Sequence, residues 1–286
     1  MGVSERVGLQ VRRLEPGDLI DAERLSAAEG WPHRYEDWQL MLEEGQGVVG
    51  LIAEKVVATA MSWHFGTALA TVGMILVDRR LRGQGIARRL LGQLLEELAV
   101  DRIQLHATQM AVPLYRAFGF QAEREVVQLQ GFLPKRERQE KASCSSRSLH
   151  QEDIPSVLEL DREACGGNRC GLLFRLLREG GGQVLVEQGR LQGFLLQRPF
   201  GGGIQVGPLV AREEKTALCL ADELLGKLRG NFLRFDVEQG GRLATWLQQQ
   251  GLQEAGSVLR MARGAAIPQG RLGQAQVYAL ASQAFG

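Results

Sequence analysis

TVGMILVDRRLRGQGIARRLLGQLLEEL, residues 71–98, decides how the chain is read. Val72, Met74, Ile75, Leu76 and Val77 form a nearly continuous apolar run, as expected of a strand covered on both faces. Gly73 interrupts it, and a glycine inside a strand marks a bulge or a close approach to the main chain. Next comes the turn Arg82-Gly83-Gln84-Gly85, whose glycines open backbone angles closed to other residues and leave room for a ligand. A helix then begins. Ile86, Leu90, Leu91, Leu94, Leu95 and Leu98 share one face, and Arg88, Arg89, Gln93, Glu96 and Glu97 take the other. Its first amides have no partner within the helix, and together with the dipole they favour an anion at the turn. Arg79, Arg80, Arg82, Arg88 and Arg89 crowd that same end, where cations are otherwise unfavourable. An anionic ligand resolves the conflict; the competing reading is an ordinary strand–turn–helix with a solvated basic face.

Two phosphate-binding signatures do not fit. The third glycine of G-x-G-x-x-G is replaced by Arg88, and no G-x-x-x-x-G-K-[ST] is present. What does fit is V-x-x-x-x-R-G-x-G-x-A from Val77 to Ala87, with Arg82, Gly85 and Ala87 matching R/Q-x-x-G-x-G/A. Downstream, Ala111 to Phe120 reads A-x-x-L-Y-x-x-x-G-F. In this order and spacing the two segments resemble the phosphate-binding motif and the tyrosine motif of the GNAT acetyltransferase superfamily. The likeness covers roughly the first half of the chain. Two positions depart from the pattern: Arg79 stands where proline is frequent, and Thr108 where asparagine is frequent.

The resemblance implies an acetyl-CoA-dependent N-acetyltransferase acting on a small-molecule or protein amine. Arg82, Gly83, Gln84, Gly85, Ile86, Ala87 and Arg88 would hold the pyrophosphate. Ile75, Leu76 and Val77 would pair with the pantetheine arm as if it were a strand, and Thr108 falls at a further pantetheine contact. A backbone amide at Val77 or its neighbour is the expected oxyanion donor, and Tyr115 the acid that protonates the departing thiolate. The segment over the acceptor makes Trp31, His33, Arg34 and Trp38 candidate acceptor contacts, against a packing role for both tryptophans. His64 and His106 have the pKa range of a general base. No Cys-His or Ser-His-Asp spacing supports a covalent intermediate, so direct attack in a ternary complex is expected. The alternative is a non-catalytic acyl-CoA-binding regulatory module with a protein-interaction C-terminal half; a weaker one is transfer of a different acyl group.

Composition bounds the rest. A chain of 286 residues is long enough for two domains. A net charge of +1 and the lack of a long basic block argue against nucleic-acid or anionic-membrane binding. No apolar run is long enough to cross a bilayer. The N-terminus lacks a signal-peptide core, and Arg6 breaks the myristoylation pattern. The four cysteines show neither C-x-x-C nor metal spacing, so no metal is expected, and free thiols in the cytoplasm are the plainer reading.

The second half echoes the first. Arg12-x-Leu14-x3-Asp18-Leu19 recurs as Arg147-x-Leu149-x3-Asp153-Ile154, Met74 to Val77 as Gly207 to Val210, and Gly119-Phe120-Gln121 as Gly251-Leu252-Gln253. The offsets of 135, 133 and 132 residues indicate a tandem duplication. The copy lacks the chemistry: Glu213 and Glu214 stand near where phosphate would lie, and Leu247 answers Tyr115. The expected domains are therefore 1–132, which binds the coenzyme, a linker at 133–141, and a degenerate copy at 142–286 without coenzyme. The fold class is α+β: tandem GNAT-like domains, each a mixed, largely antiparallel sheet flanked by helices. A last strand is expected at Ala275 to Leu280.

Overall fold

The computed structural model describes residues 8–134, 146–266 and 274–286. Residues 1–7, Cys144 and the linker from residue 135 onward lie outside the described residues.

The first half runs β1 (Gln10–Arg13), α1 (Leu19–Ala28), α2 (Tyr35–Glu44), β2 (Gln46–Ile52), β3 (Lys55–Phe65), β4 (Leu69–Val77), α3 (Ile86–Glu96), β5 (Arg102–Ala107), α4 (Val112–Ala117) and β6 (Gln121–Phe132). The second half repeats that order. It runs β7 (Ser146–Ser148), α5 (Ile154–Cys165), α6 (Cys170–Glu179), β8 (Gly182–Glu187), β9 (Arg190–Phe200), β10 (Gly203–Ala211), α7 (Glu214–Lys227), β11 (Phe232–Glu238), α8 (Arg242–Gln249) and β12 (Gln253–Gly264). A short strand, β13 (Gln276–Ala279), follows within the stretch expected to form one.

The duplicated sequence signature is a duplicated clasp. Arg12 grips Asp18 through two hydrogen bonds of 2.7 and 2.8 Å, and Arg147 grips Asp153 through two of 2.6 and 2.7 Å. Each aspartate also accepts a backbone amide three residues earlier, from Glu15 and His150, both at 2.8 Å. A bidentate arginine and a capped turn thus tie the first strand of each half to its first helix.

The two halves share one sheet. Its strand order is β1-β2-β3-β4-β5-β12-β6-β11-β13-β10-β9-β8-β7. The last long strand of each half has crossed over: β12 pairs with β5, and β6 pairs with β11. Each half therefore completes the other's sheet. Helices α1, α2, α5 and α6 share one core, which includes Trp38, Trp63, Phe194 and Phe285. Helices α3 and α4 pack a second core around Leu90, Leu94 and Tyr115, and α7 and α8 a third around Leu220, Phe235 and Leu247.

Among the described residues the parallel pairs are β4–β5 and β10–β11, and both splay. β4 meets β5 only from Leu69–Arg102 to Thr71–Gln104, then departs. β10 meets β11 only at Ile204–Leu233 and Gln205–Arg234. In the second half β13 lies in the gap, pairing with β10 at Leu209–Ala279 and Val210–Val277 and with β11 at Val237–Ala279. A bulge opens each splay. The β3–β4 register shifts between Thr59 and Met61, and Met74 takes a φ of 52°. In β10 the shift falls between Val206 and Leu209, beside Gly207.

Candidate active site

At the turn, Gly83 and Gly85 have φ of +77° and +78°, and a Cβ built on either meets nothing within 4 Å. Helix α3 begins at Gly85 with no capping side chain and no acid in its first turn. Its leading amides therefore face open space beside basic side chains, an arrangement that favours an anion. Arg82 is otherwise engaged. Its guanidinium bonds Glu29, at the end of α1, and the Val77 carbonyl at 3.3 Å. Arg79 bonds the same Glu29 oxygen at 3.0 Å. Arg82, with Arg79, holds the Glu29 carboxyl below its ordinary range. Arg82 is thus a strut between α1 and the turn. Sequence reasoning missed Glu29, since an exposed-looking acid on a helix gives no sign of a partner so far along the chain.

Ile75, Leu76 and Val77 lie on β4 beyond its last pairing with β5, and the bulge at Met74 precedes them. Thr59 Oγ1 donates to the Met74 carbonyl at 2.7 Å, which anchors the irregular backbone. Tyr115 is buried on α4, with its ring 6.1 Å from that of Phe120. Burial pushes its phenol well above the usual value, so it stays protonated throughout the neutral range while being a weaker acid than a free phenol.

A cavity of about 410 Å³ lies where the halves meet. Gly30, Trp31, His33, Gly73, Met74, His106 and Thr108 line it from the first half, and Arg198, Phe200, Gln205 and Arg234 from the second. Ser282 to Phe285 close it from the tail. Trp31 and His33, predicted acceptor contacts, are here. His33 packs 5.8 Å from Trp31, 6.3 Å from Trp38 and 5.4 Å from Phe200. Burial first, then Arg234, lowers its pKa to about 4. His106 is lowered likewise to about 4, chiefly by burial. Its Nδ1 lies 2.8 Å from the Gln283 carbonyl, which can only accept. Nδ1 therefore carries the proton, and Nε2, shielded from solvent, is an acceptor with no partner among the described residues.

Other predicted residues fall elsewhere. Trp38 is fully buried, donates to Ser26 at 3.1 Å and does not line the cavity. Arg34 clasps Asp37 and reaches the Pro199 carbonyl at 3.4 Å, a bond between halves. His64 is exposed near the β3–β4 turn and does not line the cavity. Sequence reasoning also missed Arg198, Arg234 and Phe200. The available signal was charge inside otherwise apolar strands, Arg198 in LLQRPF and Arg234 in FLRFDV.

In the second half, Glu213 and Glu214 stand at the start of α7, with Lys215 2.9 Å from Glu213. Leu247 is buried in the α7–α8 core. Cys165 and Cys170 are free, but Cys219 is disulfide-bonded, which corrects the expectation of four free thiols. A bridge requires the two Cα atoms to come within about 7 Å in the fold, which spacing along the chain does not show.

Two acetyltransferase (GNAT) domain families match the sequence, one over residues 23–133 and the other over 157–279. The chain belongs to the GNAT acetyltransferase superfamily. It carries two GNAT domains in tandem, and this places it among acetyltransferases. Similar GNAT structures share the fold over nearly the whole chain. A candidate acetyltransferase from Pyrococcus horikoshii is 21% identical, with a TM-score of 0.79, over 98% of this chain and 96% of that one. A GCN5-related N-acetyltransferase from Sphaerobacter thermophilus is 18% identical, with a TM-score of 0.66, over 92% and 97%. A tandem GNAT protein from the clavulanic acid biosynthesis pathway is 15% identical, with a TM-score of 0.64, over 91% and 100%. Comparison with curated protein sequences finds no match.

Proposed function

We propose that the chain is an N-acetyltransferase whose first half binds acetyl-CoA and whose acceptor amine enters the cavity between the halves. The observation that carries this reading is the run of cradle, strand edge and cavity along β4. The glycine turn follows it, Ile75 to Val77 offer an edge that β5 has left, and Gly73 and Met74 line the cavity. Acetyl-CoA supplies the activated acyl group. The chain's own residues do the rest. Amides of residues 83–88 hold the pyrophosphate, and the β4 edge pairs with the pantetheine arm, fixing the thioester carbonyl near the bulge. A β4 amide beyond the bulge donates to the carbonyl oxygen as charge builds on it. His106 Nε2 receives the proton that the amine loses, and Tyr115 protonates the sulfur. The amine reacts in its neutral form: a C–N bond forms, the C–S bond breaks, and after release water carries the proton held by His106 back to the Tyr115 oxygen, restoring both residues.

The second half binds no coenzyme in this reading. β13 fills the gap that corresponds to the pantetheine path, and carboxylates replace the glycine cradle.

Thiol release from acetyl-CoA across an amine panel tests the activity. Tyr115→Phe is expected to lower kcat by about 10²–10⁴-fold with unchanged coenzyme affinity. An unchanged kcat removes Tyr115 from the mechanism. Coenzyme binding without turnover of any amine would instead favour a non-catalytic acyl-CoA-binding module.

A further inference from the structure

We infer that the acceptor carries an anionic group, a carboxylate or a phosphate, bound by Arg198 and Arg234 of the second half while its amine faces His106. This rests on the reading of the cavity as the acceptor site.

Donor and acceptor accounting leads to it. Two carboxylates stand beside the two arginines, and both are saturated. Asp37 accepts the Arg34 amide at 3.0 Å, Arg34 Nε at 3.0 Å, Arg34 Nη2 at 3.3 Å and Arg198 Nη1 at 2.8 Å. Asp236 accepts Arg234 Nε at 3.2 Å and Nη2 at 3.1 Å, Gln205 at 3.3 Å and Gln283 at 2.9 Å. An ionised carboxylate has about four lone-pair sites, so neither has capacity left for a cationic ligand. The guanidiniums are not saturated. Arg198 is 4% exposed, yet its Nε is buried without a partner among the described residues. Its bonds run from Nη1 alone, to Asp37 and to the Pro199 carbonyl at 3.1 Å. Arg234 uses Nε and Nη2 on Asp236, and among the described residues Nη1 has no bond.

The two cations also share a support. Each guanidinium carbon lies 5.1 Å from the centre of the Phe200 ring. Clasped by separate aspartates, the forks are pre-oriented, and an oxyanion can take their remaining donors with little ordering cost. A cavity of about 410 Å³ suits a metabolite rather than a folded protein partner. Glu29 also lines the cavity, with its bonds from Arg79 and Arg82 both on Oε1, and His33 Nδ1 is buried there without a partner among the described residues. The uncommitted hydrogen-bonding capacity thus divides, with cationic donors on the second half and, on the first, Glu29 Oε2 and the ring nitrogens of His33 and His106.

The test uses the full chain with acetyl-CoA and matched amines: β-alanine against its amide, and phosphoethanolamine against ethanolamine. The expected result is a kcat/KM ratio of anionic to neutral amine well above 1. That ratio should fall by about 10–100-fold in Arg234→Gln, the range for a lost charge-assisted hydrogen bond. Arg234→Lys keeps a charge beside Asp236 and loses the fork, so it should show a smaller fall if the glutamine variant does not fold. A ratio near 1, unchanged in a folded variant, overturns the inference and leaves the transferase reading intact. Thermal shift with N-acetyl-β-alanine and phosphoethanolamine separates the opposite case. Stabilisation that depends on Arg234 without any thiol release supports the anion site and sinks the transferase reading. No stabilisation together with no turnover of either anionic amine overturns the anion site.

Discussion

The two splayed gaps of the sheet start from the same geometry and end differently. In each half a parallel pair separates after two or three residues and a bulge marks the departure. In the first half the gap leads to a glycine turn at an uncapped, basic helix start. In the second it holds β13 and leads to a helix that begins with Glu213 and Glu214. What the duplication retained are the features that fix backbone geometry, the Arg–Asp clasp above all. What diverged is whatever a phosphate or an extended ligand would touch. The second half is not idle, however. Its strands β9 and β11 bring Arg198, Phe200 and Arg234 to the first half's cavity, and its last strand completes the first half's sheet. An added domain here supplies walls to its neighbour's site.

The strongest challenge to this contrast is Gly85→Val. The strained left-handed conformation costs about 1–2 kcal/mol of stability, while the new side chain projects into the cradle. Titration calorimetry is expected to show acetyl-CoA affinity falling by at least about 100-fold, with the fold retained in a melting experiment; unaltered affinity would place the coenzyme elsewhere. Titration of the unaltered chain should saturate at one coenzyme per chain, and a second equivalent would contradict the filled gap.

Acid provides the next distinction, because the two histidines lowered to about 4 both belong to the first half. Their folded pKa values lie below the usual 6.5, so the unfolded chain takes up protons first. The stability they support is complete above pH 6.5 and is lost as pH falls toward 4, by roughly 2–4 kcal/mol for each histidine. Denaturant melts between pH 7 and 4.5 should show this slope, and His106→Gln should flatten it.

Smaller still is the clasp. Burial raises the Asp18 carboxyl, but Arg12 and the Glu15 amide outweigh it and hold it below the ordinary range. Asp18→Asn should cost about 1 kcal/mol at neutral pH, the scale of a partly exposed ion pair. Asp153→Asn should move the melting temperature in the same direction. A large loss from one and none from the other would show that the halves fold with unequal dependence on the shared clasp. The least effect is expected from Glu213→Gln with Glu214→Gln: coenzyme stoichiometry should not change, because β13 still fills the gap.

The stretch from Val72 to Leu98 was readable because its determinants are local. Apolar periodicity, two glycines with positive φ and an uncapped basic helix start lie within thirty residues or so of each other. The clasp at an offset of 135 residues was legible for the same reason, since arginine and aspartate sit six apart in both copies. His64 and His106 looked alike as strand histidines. Only the packed structure separates an exposed ring by a turn from a buried one hydrogen-bonded to Gln283. Nothing near Arg82 in the sequence points to the ion pair of its side chain with Glu29, which lies at an earlier helix end.

The sequence by itself determined the element order, the duplication, the glycine turn and the half of the chain that carries it, because each depends on residues close in sequence. Tertiary structure alone decided the exchange of β6 and β12, the lodging of β13 in the second gap and the assembly of the cavity from both halves. Those features depend on contacts between residues more than a hundred positions apart. Which strand edge a segment covers is set by competition among all available edges, and that competition leaves no local pattern in the chain.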